Sequence, residues 1–149
     1  EITPVEMNRC VVKIEEKKKK SKQERWQLIA ESAAKQSKRV VIPKVNNIIS
    51  YKQFLEKTEE LSVLLVPYEN KDGMIATKEA LKEIKSGDIV GIIIGPEGGF
   101  DEKEIDLVTD KNGKTISLGS RILRTETAAI ASVTMCMLYA EMELGDFDE

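Results

Sequence analysis

The sequence predicts an α/β fold built on a mostly parallel sheet with flanking helices. Three observations lead there. The runs Leu61 to Pro67 and Ile89 to Ile94 are apolar almost throughout, as strands covered on both faces are. Segments that open on capping boxes alternate with them, the pattern of parallel strands joined by crossover helices. A length of 149 residues fits one domain, and no internal repeat or linker divides it.

In chain order, Val5 to Ile14 carries Val11, Val12 and Ile14 and is expected to contain a strand. Glu15-Glu16-Lys17-Lys18-Lys19-Lys20 reads as a mobile surface loop. Ser21-Lys22-Gln23-Glu24 reads as a capping box, opening a helix with Trp26, Ile29, Ala30, Ala33 and Ala34 near the 3.6 period. Lys38 to Pro43 is a loop or brief strand, and Ser50-Tyr51-Lys52-Gln53 is a second capping box. After the strand at Leu61 to Pro67, Asn70 to Met74 is turn-like and Thr77 is the expected cap of a helix reaching Ile84. Beyond the strand at Ile89 to Ile94, Asp101-Glu102-Lys103-Glu104 is a third capping box for a helix to Asp110. Asn112-Gly113 forms a turn, Thr115 to Leu118 a short strand, and Thr125 or Thr127 starts a long helix to Glu143. The acidic tail from Gly145 to Glu149 is expected to fray.

Composition narrows the chemistry. At 41 % hydrophobic and 33 % charged the chain matches a globular protein rather than a disordered one. No run approaches the ~18 apolar residues of a membrane span. There is no histidine, which removes His general bases, Ser-His-Asp triads and His-containing zinc sets. Cys10 and Cys136 are the only cysteines, too few for a Cys-only metal site, and they read as reduced thiols of a cytoplasmic protein. No metal is expected. The chain opens on Glu1 without an export leader, which suggests a processed or excised chain.

Charge is unevenly spread. Residues 1–49 hold 12 Lys/Arg against 6 Asp/Glu, and residues 50–149 hold 11 against 20. A basic front half suits a polyanion such as nucleic acid, and equally suits a solvated helix start.

Ligands of open α/β sheets bind beyond the carboxyl ends of the strands. Three loops leave such ends: Pro67-Tyr68-Glu69, Gly95 to Gly99, and Gly119 to Arg124. Gly95-Pro96-Glu97-Gly98-Gly99 is neither GxGxxG nor a P-loop. Its glycines admit close backbone approach, and Glu97 opposes phosphate and suits hydroxyls, an amine or a positive charge. A tight turn with no ligand explains the same glycines. In the stretch Leu118 to Thr127, Arg124 can contact a phosphate or carboxylate through two donors. Glu126 also suits simple dipole stabilisation at a helix start. Ile122 and Leu123 could line a slot for a flat base. The small residues Ala128, Ala129, Ala131, Ser132 and Thr134 fit either tight helix–sheet packing or a subunit interface.

Ile92 to Phe100, then Glu102 and Glu104-Ile105, then Leu118 to Ala128, together closely resemble the bacterial 16S ribosomal RNA uracil-N3 methyltransferases of the SPOUT superfamily. Arg25, Ile29, Glu31, Ala33, Gln36-Ser37, Arg39 and Pro43 match the same family in the front half. The resemblance implies a sheet whose C-terminal part is threaded into a deep trefoil knot, and a homodimer formed through the knot region. It implies S-adenosylmethionine held by Leu65, Val66, Pro67, Ile94, Gly95, Pro96, Glu97, Gly98, Gly99, Leu118, Gly119, Ile122, Leu123, Arg124, Thr125 and Ala128. It also implies 16S rRNA, or the small ribosomal subunit, as partner, met by Arg25, Gln36 and Arg39.

Two departures stand out. The resemblance finds no counterpart here of the family's N-terminal PUA-like RNA-binding domain, and it implies that the chain starts after the first strand and helix of the methyltransferase domain. Uracil N3 must lose a proton before it attacks a methyl group, a matter of positioning and of stabilising the anion. Arg124 is the expected stabiliser, with Glu126 or Glu97 as base or orienter. Other readings stand beside this one: methylation of another RNA, an inactive cofactor-binding and dimerisation module, or a generic nucleotide-binding domain.

Overall fold

The computed structural model describes residues 1–68 and 73–145. In chain order these form β1 (Val5–Glu6), α1 (Glu16–Gln36), β2 (Ile49–Ser50), α2 (Tyr51–Lys57), β3 (Val63–Pro67), α3 (Gly73–Lys82), β4 (Val90–Ile92), α4 (Glu102–Asp110), β5 (Lys114–Ile116) and α5 (Thr125–Tyr139). A single π turn, Ala140–Leu144, continues α5. Glu69, most of the turn expected at 70–74, and the tail 146–149 lie outside the described residues.

Every strand pair is parallel, as the alternation of strands and helices predicts. β1 pairs with β2, and a parallel bridge between Ile2 and Val45 extends that pair. The main sheet has the order β4-β3-β5. β3 is central because its alternating residues feed two cores. Leu64 and Val66 pack with Met7, Ile93, Phe100 and Val108 on one face. Val63 and Leu65 pack with Ala80, Ile84 and Ile116 on the other. Each such buried aliphatic side chain contributes about 1.5–3 kcal/mol. The register sets Pro67 beside Ile116, so β3 and β5 end level and their exit loops leave side by side.

The capping boxes at Ser50 and Asp101 form as read. Ser50 Oγ accepts the Gln53 N–H at 3.3 Å while Gln53 Oε1 accepts the Ser50 N–H at 2.9 Å. Asp101 accepts the Lys103 N–H at 3.1 Å and donates its own N–H to Glu104 Oε2 at 2.9 Å.

Other expectations need correction. Ser21 lies inside α1, and its hydroxyl donates to the Lys18 carbonyl at 3.0 Å. The run 15–20 is largely helical, because its charges pair along and off the helix. Lys19 Nζ stands 2.6 Å from Glu16 and 3.0 Å from Glu6, and these two hydrogen-bonding carboxylates hold the Lys19 ammonium above its ordinary pKa. Val11 and Val12 form no strand and are 76 % and 72 % exposed. β1 ends at Glu6, and the chain then turns where the Cys10 N–H reaches the Met7 carbonyl. Thr77 caps nothing, since α3 starts at Gly73 and Thr77 lies in its interior, 1 % exposed. β4 is shorter than the apolar run predicts and lies at the sheet edge, with Ile89 left 60 % exposed.

Candidate site at the ends of the parallel strands

β5 hands over to a loop that side chains fix. Thr77 Oγ1 donates to the Ser117 carbonyl at 2.8 Å and accepts the Ser117 N–H at 2.9 Å. Ser117 Oγ in turn accepts the Gly119 N–H at 3.2 Å. Gly119 has φ +103°, a conformation that strains any L side chain. From Gly119 to Leu123 the loop walls a cavity of about 180 Å³. Pro67 and Tyr68 close it from the β3 exit, Ile116 to Leu118 from β5, and Ala128 from the first turn of α5. That volume is below the ~300–1,000 Å³ of whole small-molecule pockets, so the cavity has room for part of a ligand of that size, such as one flat ring. A Cβ on Gly119 would meet no atom within 4 Å, so the glycine leaves open space at the wall. Aliphatic side chains and loop amides together suit an apolar ring with polar edges.

The glycine loop leaves β4, on the other side of β3. It makes a tight turn, with the Gly99 N–H donating to the Pro96 carbonyl at 2.8 Å and Gly99 at φ +71°. A Cβ on Gly95 would come within 2.9 Å of the Phe100 ring, and one on Gly98 within 2.9 Å of the Arg9 carbonyl oxygen. Close packing therefore accounts for two of the three glycines. Phe100 is buried, and Tyr68 meets it edge-on, with ring centroids 6.2 Å apart and planes at 79°. Tyr68 thus links the glycine loop to the cavity wall.

Among the residues expected to hold cofactor, Pro67, Leu118, Gly119, Ile122, Leu123 and Ala128 line the cavity. Leu65 and Val66 are fully buried, their side chains in the two opposite cores. Ile94, Gly95, Pro96, Glu97, Gly98 and Gly99 belong to the β4 exit, outside the cavity lining. Arg124 is the N-cap of α5 and Thr125 its first residue. The proposed chemical groups Arg124, Glu126 and Glu97 are all exposed and do not line the cavity. Among the described residues none of the three is in an ion pair, so their charges face an incoming molecule unneutralised.

Sequence reasoning missed Tyr68, Ile116, Ser117, Ser120 and Arg121 as lining residues, and Thr77 as their support. Tyr68 and Arg121 stood in loops already singled out. Thr77 left no local signal, since its partner is 40 residues away.

Arg25, Gln36 and Arg39 are exposed on and just after α1. From residue 32 to residue 55 there is no Asp or Glu, while Lys35, Lys38, Arg39, Lys44 and Lys52 all fall there. Lys38 itself has φ +56°. Arg39 also borders a larger, almost wholly apolar groove of about 500 Å³ beneath Trp26 and Ile29. That groove lies away from the β3 and β5 ends, and Ser37 and Arg39 supply its only polar side chains. Among the described residues no cluster of three or more Cys, Asp or Glu is placed to hold a metal, and no helix is long and apolar enough to cross a membrane.

A parallel α/β core whose exit loops wall a cavity is the architecture in which open α/β domains take small molecules, at the strand ends. The chain belongs to the RNA methyltransferase domain family, whose model matches residues 1–137. It is 38 % identical over 146 residues to the ribosomal RNA small subunit methyltransferase E of Bacillus subtilis, covering 96 % of this chain and 57 % of that protein. A ribosomal RNA small subunit methyltransferase E from Neisseria gonorrhoeae, solved bound to S-adenosyl methionine, superposes with a TM-score of 0.77 at 32 % identity, over 92 % of this chain and 54 % of that one. A Legionella pneumophila protein proposed as a methyltransferase, solved in complex with SAM, gives a TM-score of 0.79 at 33 % identity over 92 % and 54 %. The chain thus spans little more than half the length of these relatives.

Proposed function

We propose that this chain is the cofactor-binding part of a small-subunit rRNA methyltransferase that uses S-adenosylmethionine to methylate N3 of a uridine in 16S rRNA. The cavity at the paired ends of β3 and β5 carries the reading. Relatives solved with this cofactor support it. The mixed apolar and polar lining would suit the cofactor's adenine, with Leu118, Gly119, Ile122, Leu123 and Ala128 as the residues that would hold it. Glu97 suits the positive sulfonium better than a lysine would. The cofactor supplies an electrophilic methyl group.

The protein's own work is then placement and proton handling. Arg124, exposed at the start of α5, would hold the uracil oxygens and favour loss of the N3 proton. Glu126 or Glu97, or water oriented by one of them, would receive that proton. Arg25, Gln36 and Arg39 would hold RNA, the last two from within the acid-free basic stretch 32–55. The trefoil knot and the homodimer implied by the family resemblance belong to the same reading. α5 supports the dimer, since it leaves Ile130 69 % exposed and Val133 and Leu138 49 % exposed.

Titration of the chain with S-adenosylmethionine, followed by methyl transfer to isolated small subunits, tests the proposal. Failure to bind the cofactor would end it. The partial coverage of the relatives favours one second reading, a module that binds the cofactor and dimerises without turnover alone. Binding without transfer to small subunits or tRNA would select that reading.

A further inference from the structure

We infer that Thr77 is a positioning residue for the cofactor-facing loop, acting through Ser117. This rests on reading the strand-end cavity as the S-adenosylmethionine site. A threonine inside a helix ordinarily turns its hydroxyl to its own helix or to solvent. Thr77 does neither. It is 1 % exposed, and its single hydroxyl serves the N–H and the carbonyl of Ser117, at 2.9 and 2.8 Å. Ile116 is the last residue of β5, so Ser117 is where the strand ladder stops and its two backbone groups need new partners. Thr77 supplies both, as a neighbouring strand would.

The order continues outward. Ser117 Oγ accepts the Gly119 N–H at 3.2 Å and faces the Gly119 carbonyl at 3.3 Å. Gly119 then bends, at φ +103°, into the segment that walls the cavity. Thr77 itself does not line that cavity. Its hydroxyl fixes Ser117, Ser117 fixes Gly119, and Gly119 sets where Ile122 and Leu123 stand. A binding wall placed this way is only as precise as the layer behind it. Donor and acceptor are needed on one atom, which serine retains and valine lacks.

The test compares Thr77→Val, Thr77→Ser and, as a stability control, Ile84→Val. Ile84 is buried in the same core as Ile116 and lines no part of the cavity. Calorimetric titration with S-adenosylmethionine should show about a tenfold weaker Kd for Thr77→Val, which loses both hydrogen bonds to Ser117. Thr77→Ser should restore most of it, and Ile84→Val should lower Tm without moving Kd. Amide hydrogen exchange without ligand is the second readout. Exchange across Ser117 to Leu123 should quicken in Thr77→Val and stay unchanged in Ile84→Val. Wild-type exchange rates in Thr77→Val, or an equal loss of affinity in Ile84→Val, would overturn the inference. Failure of the wild-type chain to bind the cofactor would instead defeat the proposed function, and exchange alone would then judge Thr77.

Discussion

The Glu104 carboxylate joins two distant parts of the chain: Oε1 accepts the backbone N–H of Asn8, 96 residues earlier, at 2.8 Å. Its other oxygen accepts the Asp101 N–H at 2.9 Å and so closes the α4 capping box. Glu104 is 3 % exposed, which leaves water little access to either bond. One side chain therefore fixes the start of α4 and the segment after β1, against which Gly98 packs.

Glu104→Ala should strip partners from two N–H groups and destabilise the fold by about 2–4 kcal/mol. Glu104→Gln should recover only part, because its amide turns a donor toward one of two donors. Urea denaturation of the three proteins checks the order, and equal midpoints for wild type and Glu104→Ala would refute it.

Tyr51 gives a pH dependence with a defined sign. Its hydroxyl donates to the Glu104 carbonyl at 2.6 Å. Burial pushes the phenol up first and the Glu104 charge adds to it. The folded pKa thus lies above the unfolded value of about 10, so the unfolded chain loses this proton first as pH rises. The stabilisation is complete below about pH 10 and fades above it. Thermal melts across that range should show wild type losing more stability than Tyr51→Phe, which starts lower. Parallel losses in the two proteins would show that Tyr51 does not contribute.

Much of the fold was legible where a motif is local. Ser50 and Asp101 cap helices because donor, acceptor and spacing all lie within four residues. The run at β3 was legible because a strand covered on both faces has no polar side. Ser21 and Thr77 have cap-like chemistry, yet their roles were decided by distant partners. α1 starts at Glu16, ahead of Ser21, and Lys19 in its first turns pairs with Glu6 of β1, while Thr77 answers to Ser117. Val11 and Val12 have strand propensity and no neighbouring strand to pair with. In the candidate site, the loops could be read from their glycines and strand ends, but which loop residues face the cavity follows from the β3–β5 register.

Gly95→Ala tests the link between the glycine loop and the cavity. The added Cβ would lie 2.9 Å from the Phe100 ring, and Phe100 carries Tyr68 on its edge. Displacing the ring should cost about 1–3 kcal/mol and also weaken S-adenosylmethionine binding through Tyr68. Fluorescence-monitored unfolding and calorimetry report the two effects. A stability loss with unchanged affinity would confine Gly95 to packing.

Lys38 closes α1 in the left-handed conformation, φ +56°, just as the Arg39 N–H reaches back to the Ala34 carbonyl at 2.9 Å. Glycine holds this position at no steric cost, whereas a side chain costs about 1–2 kcal/mol. Lys38→Gly should therefore raise Tm while removing one cation from the acid-free stretch. Binding to small-subunit rRNA should weaken, with a shallower dependence on salt. A stabilised variant with an unchanged salt slope would remove Lys38 from the RNA surface.

α5 divides into two faces. Ser132, Met135, Cys136 and Tyr139 turn toward the protein, and burial pushes the Cys136 thiol above its ordinary pKa. Ile130, Val133, Met137 and Leu138 stand exposed at helical spacing on the remaining surface. In the proposed dimer a second copy would cover this aliphatic surface, at about 25 cal/mol for each Å² buried. Wild type should sediment as a dimer over the micromolar range, and Ile130→Asp with Val133→Asp should sediment as a monomer with near wild-type helix content. A wild-type monomer at every concentration would refute the interface. A dimer that survives both aspartates would move it to another surface.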